Sequence, residues 1–264
     1  LQCYAVGSVF KPVLAAAAME AGLQPVFECT GAVVVDGQIF RCAGGVPHGQ
    51  VDLAAALEKS CNGYFIRLGQ QLGAESLLDA AKAFGFGQSL PLAEGLAAEA
   101  GQLPAPQELA QSGQLANFSF GQGGLLASPV QIAAMMNTIA SGGVYRTPFF
   151  VCGSVDETDG TPLETLAHPQ SRRVMSAENV ALLRKMLQQV VEEGTAQDAA
   201  WLEEGAGGKT GTAQTGQFTP EGAERCNLWF AGFWPAEKPR YTIVVLQDGA
   251  IHTAYSGADI FAQV

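Results

Sequence analysis

Up to about residue 195 the apolar positions recur at three- and four-residue intervals; after about residue 205 they change to short β-branched and aromatic runs. Val9–Glu20 is rich in strong helix formers and stops near Gly22. Gln50–Gln71 keeps helical spacing but is interrupted by Ser60-Cys61-Asn62-Gly63, a cluster of turn formers. Glu75–Phe84 predicts a further helix ended by Gly85. Ser128-Pro129-Val130-Gln131 has the form of a capping box with proline at the first helical position, and the helix it opens stops at Gly142-Gly143. Ser176 caps a long amphipathic segment with Val180, Leu183, Leu187, Val190 and Val191 on one face, ending at Gly194.

The later runs, Lys209–Gln214, Asn227–Trp234 and Tyr241–Gln247, predict consecutive antiparallel strands, with Pro235 and Pro239 in the second connection. A last helix is expected over Ala258–Val264. Residues 86–127, rich in Gly, Pro, Ala and Gln, predict a long irregular stretch of the kind that is usually functional or mobile. The fold class is α+β: an all-helical part over about 8–195, then strands and a helix over about 205–264. Met135, Met136, Trp229, Phe230 and Phe233 are expected in the core.

With 48% hydrophobic and 15% charged residues, the 264-residue chain is a folded protein with ample core. Its formal charge of −11 argues against a nucleic-acid partner, because phosphates would go unneutralised. No apolar run approaches the roughly 18–20 residues of a membrane span. The chain opens at Leu1-Gln2-Cys3 with no signal-peptide pattern, so it reads as trimmed, with any anchor lying upstream.

Six cysteines, Cys3, Cys29, Cys42, Cys61, Cys152 and Cys226, are a low density. Cys29 and Cys42 flank a hairpin turning at Asp36-Gly37; paired strands would bring them close enough to bridge, and two free thiols are the equal alternative. His48 adds a third candidate ligand there, one short of a closed zinc site, so no metal and no cofactor are expected. Cys61 reads as a small buried apolar residue.

Several chemistries lack their residues. The histidines His48, His168 and His252 are scattered and no G-x-S-x-G elbow occurs, which argues against a Ser-His-Asp hydrolase. No H-E-x-x-H, paired C-x-x-C or phosphate-loop pattern is present; Gly121-Gln122-Gly123-Gly124 resembles the last only in composition. What remains is an ordered triplet: Ser8-x-x-Lys11 at a helix start, Ser60-Cys61-Asn62 in a helix–helix turn, and Lys209-Thr210-Gly211 on a strand. Each alone is common by chance. Together, each in its expected setting, they specify a site.

A spacing of three puts Ser8 and Lys11 on one helix face. A serine hydroxyl is a poor nucleophile until a base takes its proton. Lysine becomes that base only if its pKa falls from about 10.4 towards ~7–8, a change of roughly 3–5 kcal/mol. Burial and a second cation, for which Lys209 is the candidate, supply such a shift. Pro12 requires that the helix begin close to Ser8. Gly7 and Gly211 are positions where the backbone can approach a ligand that a side chain would block.

The triplet is known from penicillin-binding proteins and serine β-lactamases. With H-G-Q-V-D-L-A-A-A-L-E-K-S-C-N-G-Y-F, G-Q-G-G-L-L-A-S-P-V-Q-I-A-A-M-M-N-T-I-A-S-G-G and G-K-T-G-T-A-Q, nearly the whole chain, 1–264, resembles the transpeptidase domain of a class B penicillin-binding protein. The resemblance implies a helical subdomain packed with an antiparallel sheet and a D,D-transpeptidase that cross-links D-Ala-D-Ala stem peptides of peptidoglycan through a serine acyl-enzyme. It implies β-lactams as covalent ligands, a membrane glycosyltransferase as partner, and action at the extracytoplasmic face of the bacterial membrane. Carried over by position, Ser8 is the nucleophile, Lys11 its base, and Ser60 a proton relay to the departing D-alanine. Asn62 holds the substrate amide, and Lys209, Thr210 and Thr212 bind the terminal carboxylate beside Gly211. The backbone N–H groups of Ser8 and Thr212 form the oxyanion hole. A serine β-lactamase or D,D-carboxypeptidase, and a non-catalytic β-lactam sensor, are the competing readings. Only seven residues precede Ser8, so the strands that normally lie upstream of the nucleophile are expected to be missing from the sheet.

Overall fold

The computed structural model describes residues 1–165, 170–251 and 253–264, so His168 and His252 lie outside the described residues. The helices are α1 (Lys11–Glu20), α2 (Leu53–Glu58), α3 (Asn62–Ala83), α4 (Pro106–Leu109), α5 (Gln114–Ser119), α6 (Pro129–Ala140), α7 (Ala177–Glu192) and α8 (Gly257–Gln263). A 3₁₀ turn, Gly7–Phe10, leads directly into α1. The strands of the N-terminal half are β1 (Tyr4–Ala5), β2 (Phe27–Cys29), β3 (Ala32–Val35), β4 (Gln38–Arg41), β5 (Gly49–Val51), β6 (Leu90–Ala93), β7 (Leu96–Ala98) and β8 (Leu126–Ala127). They are followed by β9 (Val144–Arg146), β10 (Gly153–Val155), β11 (Pro162–Thr165) and β12 (Ser171–Arg173), then β13 (Gly207–Phe218), β14 (Glu224–Trp234) and β15 (Tyr241–Ala250).

The last three strands form an antiparallel meander in the order β13–β14–β15. Phe230 and Phe233 on β14 are fully buried, and Trp229 nearly so. Among the described residues no strand preceding Ser8 joins this sheet: β1 pairs with β8 instead. The Trp229 indole N–H nevertheless donates to the Ala5 carbonyl at 2.9 Å, tying the chain before Ser8 to the middle of the sheet.

At the centre lies α1. Apolar on nearly every side, it is buried from Lys11 to Met19 apart from the half-buried Ala17, as expected of a helix surrounded by others. It packs against α3 and α7, and its alanines let these neighbours approach closely. The predicted caps are present: the Ser128 hydroxyl accepts from the Gln131 N–H at 3.2 Å while the Gln131 side chain accepts from the Ser128 N–H at 2.9 Å. Ser176 accepts from the Asn179 N–H at the start of α7, whose five predicted core residues are all buried.

The stretch 8–195 is not all-helical. It contains paired ladders β2–β5, β3–β4, β6–β7, β9–β12 and β10–β11, each of two short strands whose few residues leave a weak periodic signal. The irregular stretch 86–127 holds β6, β7, β8, α4 and α5. The helices expected at Gln50–Gln71 and Glu75–Phe84 divide differently: α2 ends at Glu58, and α3 runs from Asn62 to Ala83 with a break at Gly73, where φ is +79°.

Candidate active site

Ser8 is half-buried in the 3₁₀ turn, where residues three apart eclipse and therefore share a face with Lys11. This turn is clamped by backbone. The Gly7 N–H donates to the Gly121 carbonyl at 2.8 Å. A Cβ on Gly7 (φ +64°) would sit 2.5 Å from the Thr212 carbonyl oxygen, and one on Gly211 would sit 2.9 Å from a Val9 methyl and 3.0 Å from the Val9 nitrogen. Where a ligand was expected against Gly7 and Gly211, the atoms a Cβ would meet belong to each other's segments, so β13 lies hard against the turn that holds Ser8. Gly121 (φ +85°) completes the interlock, since a Cβ there would run into the Gly7 carbonyl. The glycine cluster that resembles a phosphate loop is a packing element of the site.

Lys11, the first residue of α1, is completely buried. Its Nζ donates to the Ser60 carbonyl at 2.7 Å, to Ser60 Oγ at 3.1 Å and to Asn62 Oδ1 at 2.7 Å. It also lies 5.4 Å from the centre of the Phe65 ring. Among the described residues no hydrogen bond joins Ser8 Oγ to Lys11. Burial pulls the Lys11 ammonium down from its ordinary value of 10.5 to about 7, with a smaller opposing contribution from Cys61 and Cys42.

Burial also pushes Lys209 on β13 well below the ordinary lysine range, and the charge of Lys11 adds to that push. The expected depression of Lys11 is therefore present, but its cause is burial; the repulsion between the two lysines is expressed at Lys209. The Lys209 ammonium donates to the Thr210 carbonyl at 3.2 Å. Thr210 shares a 2.7 Å hydroxyl–hydroxyl bond with Thr195, a neighbour that no local pattern singles out. Gly211 is buried, Thr212 exposed.

Ser60 occupies the turn between α2 and α3 with φ +52°, a left-handed conformation uncommon for a residue with a side chain. Cys61 is the N-cap of α3 and accepts from the Tyr64 N–H at 3.4 Å. The Asn62 carboxamide is engaged at both ends, accepting from Lys11 and donating to the Arg41 carbonyl at 2.9 Å. The structure thus joins Lys11, Ser60 and Asn62 by direct hydrogen bonds and sets Ser8 and Thr212 on contacting backbone segments.

The Asp36-Gly37 hairpin is as expected, with positive φ at both residues, but the Cys29–Cys42 bridge is not formed. The two thiols lie 3.6 Å apart, because the neighbourhood holds a third sulfur: Cys42 lies 3.8 Å from Cys61. His48 Nδ1 lies 3.4 Å from Cys29. Cys61, read as an apolar filler, is buried but has sulfur neighbours. Chain separation hid this, since each residue comes from a different element.

The family model of the penicillin binding protein transpeptidase domain matches residues 2–264. Stage V sporulation protein D of Bacillus subtilis (strain 168) is 31% identical over 265 residues, covering 99% of this chain and 41% of that protein. Peptidoglycan D,D-transpeptidase PbpA of Mycolicibacterium smegmatis is 30% identical over 274 residues, covering 100% of this chain and 54% of its own length. The chain thus spans about half the length of these relatives. Among solved structures, the D,D-transpeptidase domain of a peptidoglycan glycosyltransferase from Eggerthella lenta superposes with a TM-score of 0.86 at 26% identity, over 99% of this chain and 64% of that one. The imipenem acyl-enzyme of penicillin-binding protein A from M. tuberculosis gives 0.85 at 26% identity, over 99% and 59%.

Proposed function

The chain belongs to the penicillin-binding protein transpeptidase domain family, and from that premise we propose that it cross-links peptidoglycan stem peptides ending in D-Ala-D-Ala. The observation that carries this reading is Lys11: fully buried, brought to about 7, and held by three acceptors on the Ser60–Asn62 turn. A base poised near neutrality is what activation of a serine hydroxyl requires.

In the proposed reaction neutral Lys11 takes the proton from Ser8 Oγ, which attacks the carbonyl carbon of the penultimate D-alanine. The negative charge that develops on the carbonyl oxygen is received by the backbone N–H groups of Ser8 and Thr212. The proton then passes from Lys11 through Ser60 Oγ, 3.1 Å away, to the departing amine nitrogen as the C–N bond breaks. An incoming amine returns its proton by the same route and displaces Ser8. Lys209, Thr210 and Thr212 bind the terminal carboxylate; that anion restores the charge on Lys209 that burial opposes. With both ends of its amide occupied, Asn62 first positions Lys11, and its Arg41-bound NH₂ is the end able to turn to substrate.

A β-lactam presents the same carbonyl to Ser8, but its leaving nitrogen stays tethered, which favours a persistent adduct. We place the reaction at the extracytoplasmic face of the bacterial membrane, with a glycosyltransferase supplying the glycan strands; the location is supported by the similarity to peptidoglycan D,D-transpeptidase PbpA. No helix among the described residues is long and apolar enough to cross a membrane.

Intact-mass spectrometry with penicillin tests the site: one covalent adduct is expected, absent in Ser8→Ala, and an adduct persisting in that variant overturns the assignment. Slow release of the acyl group together with transfer to an amine acceptor supports transpeptidation. Rapid hydrolytic turnover identifies a β-lactamase or carboxypeptidase, and acylation without any activity on peptide identifies a sensor.

A further inference from the structure

Behind the Ser60–Asn62 turn, Cys29, Cys42, Cys61 and His48 present three sulfurs and a ring nitrogen that all lie within 4.8 Å of one another. They arrive from separate places. Cys29 ends β2, Cys42 follows β4, His48 precedes β5, and Cys61 caps α3. The three cysteines are buried and the histidine half-buried.

The edges of this cluster have a specific size. Zinc–thiolate bonds of ~2.3 Å and a zinc–imidazole bond of ~2.0 Å at tetrahedral angles require S···S edges of about 3.8 Å and S···N edges of about 3.5 Å. Three of the six edges are 3.6 Å for Cys29–Cys42, 3.8 Å for Cys42–Cys61 and 3.4 Å for Cys29–His48, and the other three are within 4.8 Å, so an ion would draw the four atoms together by at most about 1 Å. A disulfide accounts for less: it joins two sulfurs at about 2.0 Å and leaves the third sulfur and the imidazole without a role.

The surrounding architecture needs a fastening. Residues 27–51 are built from two separate two-stranded ladders, β2–β5 and β3–β4, and expose Val34, Ile39 and Val46. Such ladders are marginal on their own. The four donor atoms would fasten the base of this excursion to the first turn of α3, and the Tyr64 N–H at Cys61 Sγ is an outer partner of the sort that orients a metal-bound thiolate.

We propose that Cys29, Cys42, His48 and Cys61 form a closed, structural Cys₃His zinc site. Binding replaces three thiol protons, released to solvent, by one Zn²⁺ ion, with His48 coordinating as neutral imidazole through Nδ1; no oxidation is involved. Because Cys61 lies between Ser60 and Asn62, the ion would also anchor the turn that holds Lys11. The zinc site stands apart from the catalytic reading and survives if that reading fails.

The full chain, purified without chelator, is expected to contain one zinc per molecule by elemental mass spectrometry. Stripped under reducing conditions and titrated with cobalt(II), the wild-type chain should develop the visible bands of a tetrahedral thiolate site, saturating at one equivalent and bleached by zinc. Cys61→Ser and His48→Gln should weaken or shift those bands; the wild-type titration decides the matter even if a variant does not fold. Removal of zinc should lower the melting temperature and slow penicillin acylation, and added zinc should restore both. Isolation without zinc and a cobalt spectrum lacking thiolate character would overturn the proposal, as would a chelator-insensitive Cys29–Cys42 disulfide.

Discussion

Two turns build this site, and they are held by opposite means. The turn that holds Ser8, Gly7–Phe10, is locked by main chain: Gly7, Gly121 and Gly211 let three backbone segments touch where no side chain fits. The Ser60–Asn62 turn is held by side chains, through the Lys11 ammonium, the Arg41 carbonyl on Asn62 and the sulfur cluster at Cys61, and it carries Ser60 at φ +52°. The first is rigid because it has no space to move. The second is set by charge and ligation and so responds to protonation.

Substituting Lys11, which follows the first turn and is hydrogen-bonded to the second, should produce the largest effect. Lys11→Met should slow penicillin acylation by about 10²–10⁴-fold, the usual value of a positioned acid–base group, and lower the melting temperature because the Ser60 carbonyl and Asn62 Oδ1 lose their donor. Time-resolved labelling with a fluorescent penicillin checks this, and a loss below tenfold would remove Lys11 as the base. Next comes pH. Lys11 accepts a proton only when neutral, so with its pKa at about 7 the acylation rate should climb tenfold per unit below neutrality and level off above about pH 8. A rate still rising tenfold per unit at pH 9 would return Lys11 to its ordinary value of 10.5.

The glycine lock is tested by Gly7→Ala, which should cost about 2–4 kcal/mol from the left-handed backbone and the overlap with Thr212, read by denaturant unfolding. Gly22→Ala, with φ +69° but open space around it, should cost only about 1 kcal/mol; equal losses would break the contrast drawn between the turns. The smallest effect belongs to Ser60→Gly, expected to gain about 1 kcal/mol by relieving the left-handed strain while acylation slows for want of the hydroxyl. Ser60→Ala should slow acylation without the gain in stability.

The legible parts of the molecule were those written locally. The caps at Ser128 and Ser176, the face of α7 and the Asp36-Gly37 turn each depend on residues a few positions apart, and the structure shows each one. The triplet of motifs also stood out, because each part occupies its own element and only their order along the chain had to be read. What local pattern could not carry was proximity between distant segments. Gly121 beneath Gly7, Thr195 beside Thr210, and Cys61 among Cys29, Cys42 and His48 are pairings made by the fold. The balance of causes behind the Lys11 shift was less legible: burial and a second cation were both expected to lower it, and the depth of packing around α1, which makes burial the cause, is a property of the whole fold.

The alanines of α1 have a consequence for how such a chain can diverge. Ala15, Ala16 and Ala18 are at most 1% exposed, and every added methyl there would have to displace α3 or α7. Variation that would reshape the surroundings of Lys11 therefore has little room on the helix that opens with it.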